Sequence, residues 1–245
     1  MAGPTRVLIF APMPSEMRPV VKLLGLQRSG DQGRLPIYTG RRADVDVVLT
    51  GTGIGPALAR AAAERMLADS TFDRVIVCGI AGGLAPVSAV GDLVVPAEVY
   101  DGATGERFQA TPLDGVTAKG VIRMGDVDDY ELGDADVARL VDEGVTALDM
   151  ETAAIAGVCR RHDVPWIAFR AISDMAGDGA LGSDVLALVD ELGKPKAWPS
   201  IRYLCTHPKQ IPMMLRVGRD AGAATRTAAK AAVAAIDSGS LAGSR

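Results

Sequence analysis

From end to end the chain alternates short apolar runs, rich in β-branched residues, with segments whose apolar residues recur at helical spacing. The runs VLIFA and VIVCGI are apolar at every position rather than every second one, and WIAFRAI is broken only by Arg170. Only a strand covered on both faces can bury such a run, and helices on the two sides of a parallel sheet supply that cover. Strands are expected at 6–11, 35–39, 45–51, 74–79, 92–96, 119–124, 147–149 and 166–171. Helices are expected at 15–24, 55–68, 134–142, 151–162 and 183–192, then at 198–204 and 212–236. The fold class that follows is α/β: a single domain over 1–237 with a central, mostly parallel mixed β-sheet flanked by helices. A helical C-terminal region begins at about 198, and a disordered tail is expected over 238–245.

Several function classes fall away on composition. With 245 residues, 48% of them hydrophobic, the chain buries a full core as one large domain. Net charge is −4 and no cluster of Lys and Arg is expected on one face, so no nucleic-acid partner is expected. Two histidines argue against a histidine-based zinc site, and no metal or organic cofactor is expected. Three widely spaced cysteines fit reduced residues of a cytoplasmic protein better than a disulfide framework. No apolar run reaches ~18 residues, so no membrane partner is expected. The opening MAGPTRVLIF runs straight into a strand and does not read as a signal peptide.

In a sheet of this kind ligands gather beyond the carboxyl ends of the strands. Five such ends carry glycines or polar residues: FAPMPSEM, TGTGIG, CGIAGG, LDMETAA and RAISD. The glycines of TGTGIG and CGIAGG are expected to form tight turns. Neither turn is a dinucleotide fingerprint or a P-loop, because Pro56 replaces the third glycine of the first and no Gly-Lys-Ser/Thr occurs. Gly82 and Gly83 would let a substrate ring approach the backbone. Acids stand at three ends: Glu16, Glu151 and Asp174, with Arg170 among them. Helix capping accounts for Glu16 or Glu151 singly, and an Asx turn for Asp174. Three acids converging on one edge fit better with glycosidic-bond cleavage, which uses carboxylates in different environments around an oxocarbenium-like transition state.

The stretches PMPSEM, TGIG, CGIAGGLAP…VGDLVVP, MGD and ALDMETAAIAGVCRRHDVPWIAFRAISD, in that order over roughly 6–180, resemble the nucleoside phosphorylase superfamily. The resemblance is to its methylthioadenosine/S-adenosylhomocysteine nucleosidase-like branch. It implies a nucleoside phosphorylase-like fold and an N-ribosyl hydrolase acting on a purine-type, 5′-substituted adenosine-like nucleoside. Asp174 then protonates the leaving base, Glu16 activates water, and Arg170 lies near the nucleophile. Glu151 grips the ribose hydroxyls and Met150 packs on the sugar. Met13 also contacts the substrate, Ser173 stands beside Asp174, and Ala81 and Gly82 line the base. The resemblance further implies a small-molecule nucleoside as partner and a homodimer or higher homo-oligomer, with IPMMLRV offering apolar surface to a neighbour, a lid or the sheet. The chain departs from the branch at Ile80, where a serine is common, and at Asp128 and Asp184, where aromatics line the pocket; Tyr130 is a candidate replacement. A phosphate-dependent phosphorylase and a nucleoside-binding protein with a decayed site are the alternatives. Phosphorolysis is disfavoured because a carboxylate at Glu16 opposes a phosphate dianion.

Overall fold

The computed structural model describes residues 4–125, 132–176, 190, 192, 196, 206 and 210–239. Among these residues eleven strands form one mixed sheet. In chain order they are β1 (Thr5–Phe10), β2 (Gln27–Gln32), β3 (Leu35–Arg42), β4 (Val45–Thr50), β5 (Arg74–Gly83) and β6 (Leu93–Val94). The rest are β7 (Glu98–Asp101), β8 (Arg107–Gln109), β9 (Val121–Met124), β10 (Val145–Asp149) and β11 (Trp166–Met175). The helices among the described residues are α1 (Pro14–Leu24), α2 (Pro56–Asp69), α3 (Asp134–Asp142), α4 (Thr152–Arg161) and α5 (Ile211–Asp237). The expected helices at 183–192 and 198–204 lie outside the described residues but for isolated positions, and so does most of the expected tail.

Strand alternation sorts the core into two layers. Leu8 and Phe10 of β1, with Val75 and Val77 of β5, pack in the layer of α2 and α4. Val7, Ile9, Ile76 and Cys78 pack in the opposite layer with α1 and α5. The runs are apolar throughout for this reason: successive side chains enter different layers. Parallel pairing joins β4, β1, β5 and β11 in series, and separately β10, β9 and β7. The outer pairs β2–β3, β3–β4 and β7–β8, together with β5–β10 and β6–β11, are antiparallel. Among the described residues no helix is long and apolar enough to cross a membrane.

Three local expectations require correction. Gly79–Gly83 is not a turn, because β5 continues through it, paired with β11 and then with β10. β11 likewise runs on to Met175, so Ser173 and Asp174 belong to the strand rather than to a turn after it. The strand expected at 92–96 shrinks to Leu93–Val94. In the first two cases glycine or charge signals a chain end, but a neighbour on each side satisfies the backbone and the ladder continues.

Candidate active site

The extended β5–β11 pair forms the floor of the site. Arg170 lies opposite Gly79, Ile172 opposite Ala81 and Asp174 opposite Gly82. The register therefore slips at Ser173, a bulge that places Asp174, rather than Ser173, across from Gly82. Ser173 donates its hydroxyl proton to Asp174 Oδ1 and lies 3.4 Å from the Ala81 carbonyl oxygen. Ala81, Gly82, Ser173 and Asp174 are all buried.

Arg170, fully buried, ties the remaining elements together. Its Nη2 lies 2.6 Å from Asp149 Oδ2 and 3.2 Å from Glu151 Oε2, and its Nη1 lies 3.9 Å from Glu16 Oε1. Nη1 also donates to the Ile80 carbonyl at 3.2 Å. Nε and Nη2 donate to the Thr152 hydroxyl, which in turn donates to Asp149. Burial alone would lower the Arg170 pKa, but Asp149, Glu151 and Glu16 raise it above its ordinary value. One permanent cation thus faces three buried acids.

Each acid is held by backbone as well. Glu16, on the first turn of α1, accepts the Met13 amide at 2.7 Å through Oε2 and the Ile80 amide at 2.8 Å through Oε1. It therefore does serve the helix start, yet it also reaches across to β5. Glu151, immediately before α4, accepts the Gly55 amide at 3.1 Å. Gly55 opens α2 at φ 102, a conformation suited to glycine, so the TGTGIG turn delivers a helix N-terminus to Glu151. Burial raises the Glu16 pKa, with Arg170 opposing. Burial likewise raises Glu151, to about 7, against the pull of Arg170. The Cys78 thiol, pushed up to about 12 by burial and by Glu16, is inert as a nucleophile.

Of the residues expected from sequence, Glu16, Glu151 and Arg170 meet in one cluster, while Ser173 and Asp174 lie further along the same strand pair. Met13 and Met150 are partly buried beside them, Met13 at the start of α1 and Met150 between β10 and α4. Asp128, Tyr130 and Asp184 lie outside the described residues. Sequence reasoning missed Asp149 and Thr152, which complete the Arg170 network. The only signal was an acid ending β10 followed three residues later by a hydroxyl.

Fold and site together define an α/β protein with a buried cluster of acids around one arginine at the carboxyl edge of its sheet. The sequence model of the phosphorylase superfamily matches residues 6–132 and 103–194. The chain belongs to that superfamily. Over 168 residues it is 33% identical to the 5′-methylthioadenosine/S-adenosylhomocysteine nucleosidase of Anoxybacillus flavithermus, a match covering 57% of this chain and 72% of the relative. The fold is shared with the Helicobacter pylori 5′-methylthioadenosine/S-adenosyl homocysteine nucleosidase, at TM-score 0.71 and 18% identity over 97% of this chain and 100% of that one. It is shared equally with the futalosine hydrolase of Helicobacter pylori, at TM-score 0.72 and 17% identity over 96% and 98%.

Proposed function

We propose that the chain is an N-ribosyl hydrolase for a purine-type, 5′-substituted adenosine-like nucleoside. The observation that carries this reading is the buried cluster of Glu16, Asp149 and Glu151 around Arg170. With every acid ionised, three negative charges surround one positive charge. Such a site favours a ribosyl cation and opposes a phosphate dianion. The nucleosidase relative and the two structural neighbours named above, all hydrolases by name, support the same direction.

In the reaction the C1′–N9 bond breaks and its electron pair leaves with the base. Asp174 delivers a proton to N7, so the base departs neutral. Water adds to C1′ from the opposite face and gives its proton to Glu16, which two backbone amides hold in place. Glu151 binds the ribose hydroxyls, Met13 and Met150 pack against the sugar, and Ala81 and Gly82 border the base. Arg170 positions Glu16 and Glu151. Each proton transfer is worth ~10²–10⁴ in rate. Because Glu16 acts as a base and burial raises its pKa, kcat/KM is expected to fall on the acid side at a pH above the ordinary carboxylate range.

A homodimer is part of this reading. Leu215 on the first turns of α5 is 70% exposed, and Val87 and Val90 of the loop after β5 are exposed as well.

The test is release of free base and free reducing sugar from a panel of adenosine and 5′-substituted adenosines in phosphate-free buffer. Equal rates with and without phosphate support hydrolysis. A strict need for phosphate, with ribose 1-phosphate as product, would replace it with phosphorolysis, and nucleoside binding without release would leave only a binding protein.

A further inference from the structure

Asp149 and Thr152 have no task in the reaction proposed above, yet they hold the Arg170 guanidinium closely. β10 ends at Asp149 and α4 begins at Thr152, so the two residues enclosed between them are Met150 and Glu151. Across that turn the Asp149 carboxylate accepts the Thr152 amide at 3.3 Å through both oxygens and also accepts the Thr152 hydroxyl. The hydroxyl oxygen in turn accepts Arg170 Nε at 3.1 Å and Nη2 at 3.0 Å, while Asp149 Oδ2 lies 2.6 Å from Nη2. The Nε–Nη2 edge of the planar guanidinium is gripped at both nitrogens, which fixes its plane as well as its position. Asp149, Thr152 and Arg170 are all buried, where such hydrogen bonds are stronger than in water.

That grip governs how near Arg170 comes to Glu16. Nη1 stops 3.9 Å from Glu16 Oε1, beyond hydrogen-bond distance, although both side chains are buried. No side chain wedges them apart, because the residue beside both is Gly79. Ile80 spaces them instead, donating its amide to Glu16 Oε1 and accepting Arg170 Nη1 on its carbonyl. Of the three carboxylates around it, Arg170 thus lies nearest to Asp149 and furthest from the one assigned to water. Other titratable groups around Glu16 are Glu151 before α4 and Cys78 on β5, whose thiol stays neutral. Arg18 and Lys22 of α1 and Arg226 and Lys230 of α5 line the cleft that Met13 and Ile80 border.

We propose that Asp149 and Thr152 are positioning residues for the reaction: together they draw Arg170 back from Glu16, so that Arg170 orients that carboxylate without a direct hydrogen bond to it and Glu16 stays basic enough to take a proton from water. The proposal rests on the N-ribosyl hydrolase reading, which gives Glu16 that task. A guanidinium in hydrogen-bond contact stabilises an ionised carboxylate and lowers its pKa by about 1–3 units. A carboxylate so weakened as a base accepts the proton of water less readily. Asp149 acts on Glu16 in the opposite sense to Arg170, raising its pKa alongside burial while Arg170 lowers it.

The decisive variant is Thr152→Val, which removes the hydroxyl and keeps the shape. It changes no charge, so a shift of its pH profile reports groups that have moved. Base release from the best nucleoside of the panel is followed as kcat against pH. The kcat profile reports the base in the complex, where the ribose already occupies Glu151. The acid limb should move about one unit to lower pH, with the plateau kcat roughly three- to tenfold down. Asp149→Asn keeps the outline of the side chain, removes one negative charge and should move the limb at least as far in the same direction. Thr152→Ser restores the hydroxyl and should return limb and plateau to the wild-type values. Thr152→Ala, which also lacks the hydroxyl, is read in the same way as Thr152→Val, so one misfolded variant does not end the test. A merely structural role would lower the melting temperature and the amount of active enzyme and leave the limb in place. That outcome in folded variants, or a limb moved to higher pH, overturns the positioning role and keeps hydrolysis. A wild type that releases no base removes hydrolysis, and the positioning role with it.

Discussion

Gly79 stands where β5 has no room for a side chain. A Cβ there would lie 2.2 Å from Glu16 Oε1 and 2.7 Å from Arg170 Nη1, inside the contact distance of both. Gly79→Ala is therefore expected to push the carboxylate and the guanidinium apart, costing ~1–3 kcal/mol by overpacking and ~10²-fold in kcat by displacing the base. Denaturant melts and turnover on the same preparation check both. Glu151 gives a second residue-scale expectation, in pH. Its pKa rises from an ordinary 4.5 to about 7 in the folded chain, chiefly through burial. Between those values the folded state holds a proton that the unfolded state has released, so its contribution to stability is full below the lower value and is lost as pH rises through the upper one. Glu151→Gln, which does not titrate, should flatten the melting temperature against pH across that window; an unchanged slope would assign the titration to another group.

At the scale of elements, β11 depends on Arg170 for more than a strand contact, because the same guanidinium reaches β10 at Asp149, the start of α4 at Glu151 and Thr152, and α1 at Glu16. Arg170→Leu leaves three acids buried without a cation and should cost ~3–5 kcal/mol, with the larger deficit at pH 8 than at pH 5, where the acids take up protons instead. Arg170→Lys keeps the charge but not the planar fork and should fall between. Urea unfolding at the two pH values measures this. The element scale also shows what was legible in the sequence. β1, the first half of β5 and the core of β11 are readable because two-layer burial demands unbroken apolar runs. β2, sequence QRSGDQ, is largely exposed and paired along one side only, so nothing apolar marks it. Gly79–Gly83 looks like a turn because glycine is poor in strands, whereas here its missing side chains make room at Gly79 for Glu16 and Arg170 and at Gly83 for Ile172 and Ser88. The acids at strand ends were legible as charges interrupting apolar runs. The Arg170 network was not, since it joins residues from 16 to 170 through contacts that leave no periodic trace.

At the scale of the whole molecule, the exposed apolar residues Leu215, Val87 and Val90 are expected to be covered by a second copy. Light scattering at micromolar concentration should give at least twice the 25.4 kDa of one chain, and a monomer there would contradict the dimer. The central claim is that acids which also stabilise the fold carry the proton transfers of N-ribosyl hydrolysis. Its most direct test is kcat, with melting temperature measured alongside, for Asp174→Asn and Glu16→Gln on the best nucleoside of the panel. Asparagine keeps the shape and a hydrogen-bond donor but is no acid, and glutamine accepts no proton from water. The expected result is near-normal nucleoside affinity with kcat reduced ~10²-fold or more in each variant. Asp174→Asn with full turnover, and a loss confined to ~1 kcal/mol of stability as a capping or turn residue would show, would contradict it.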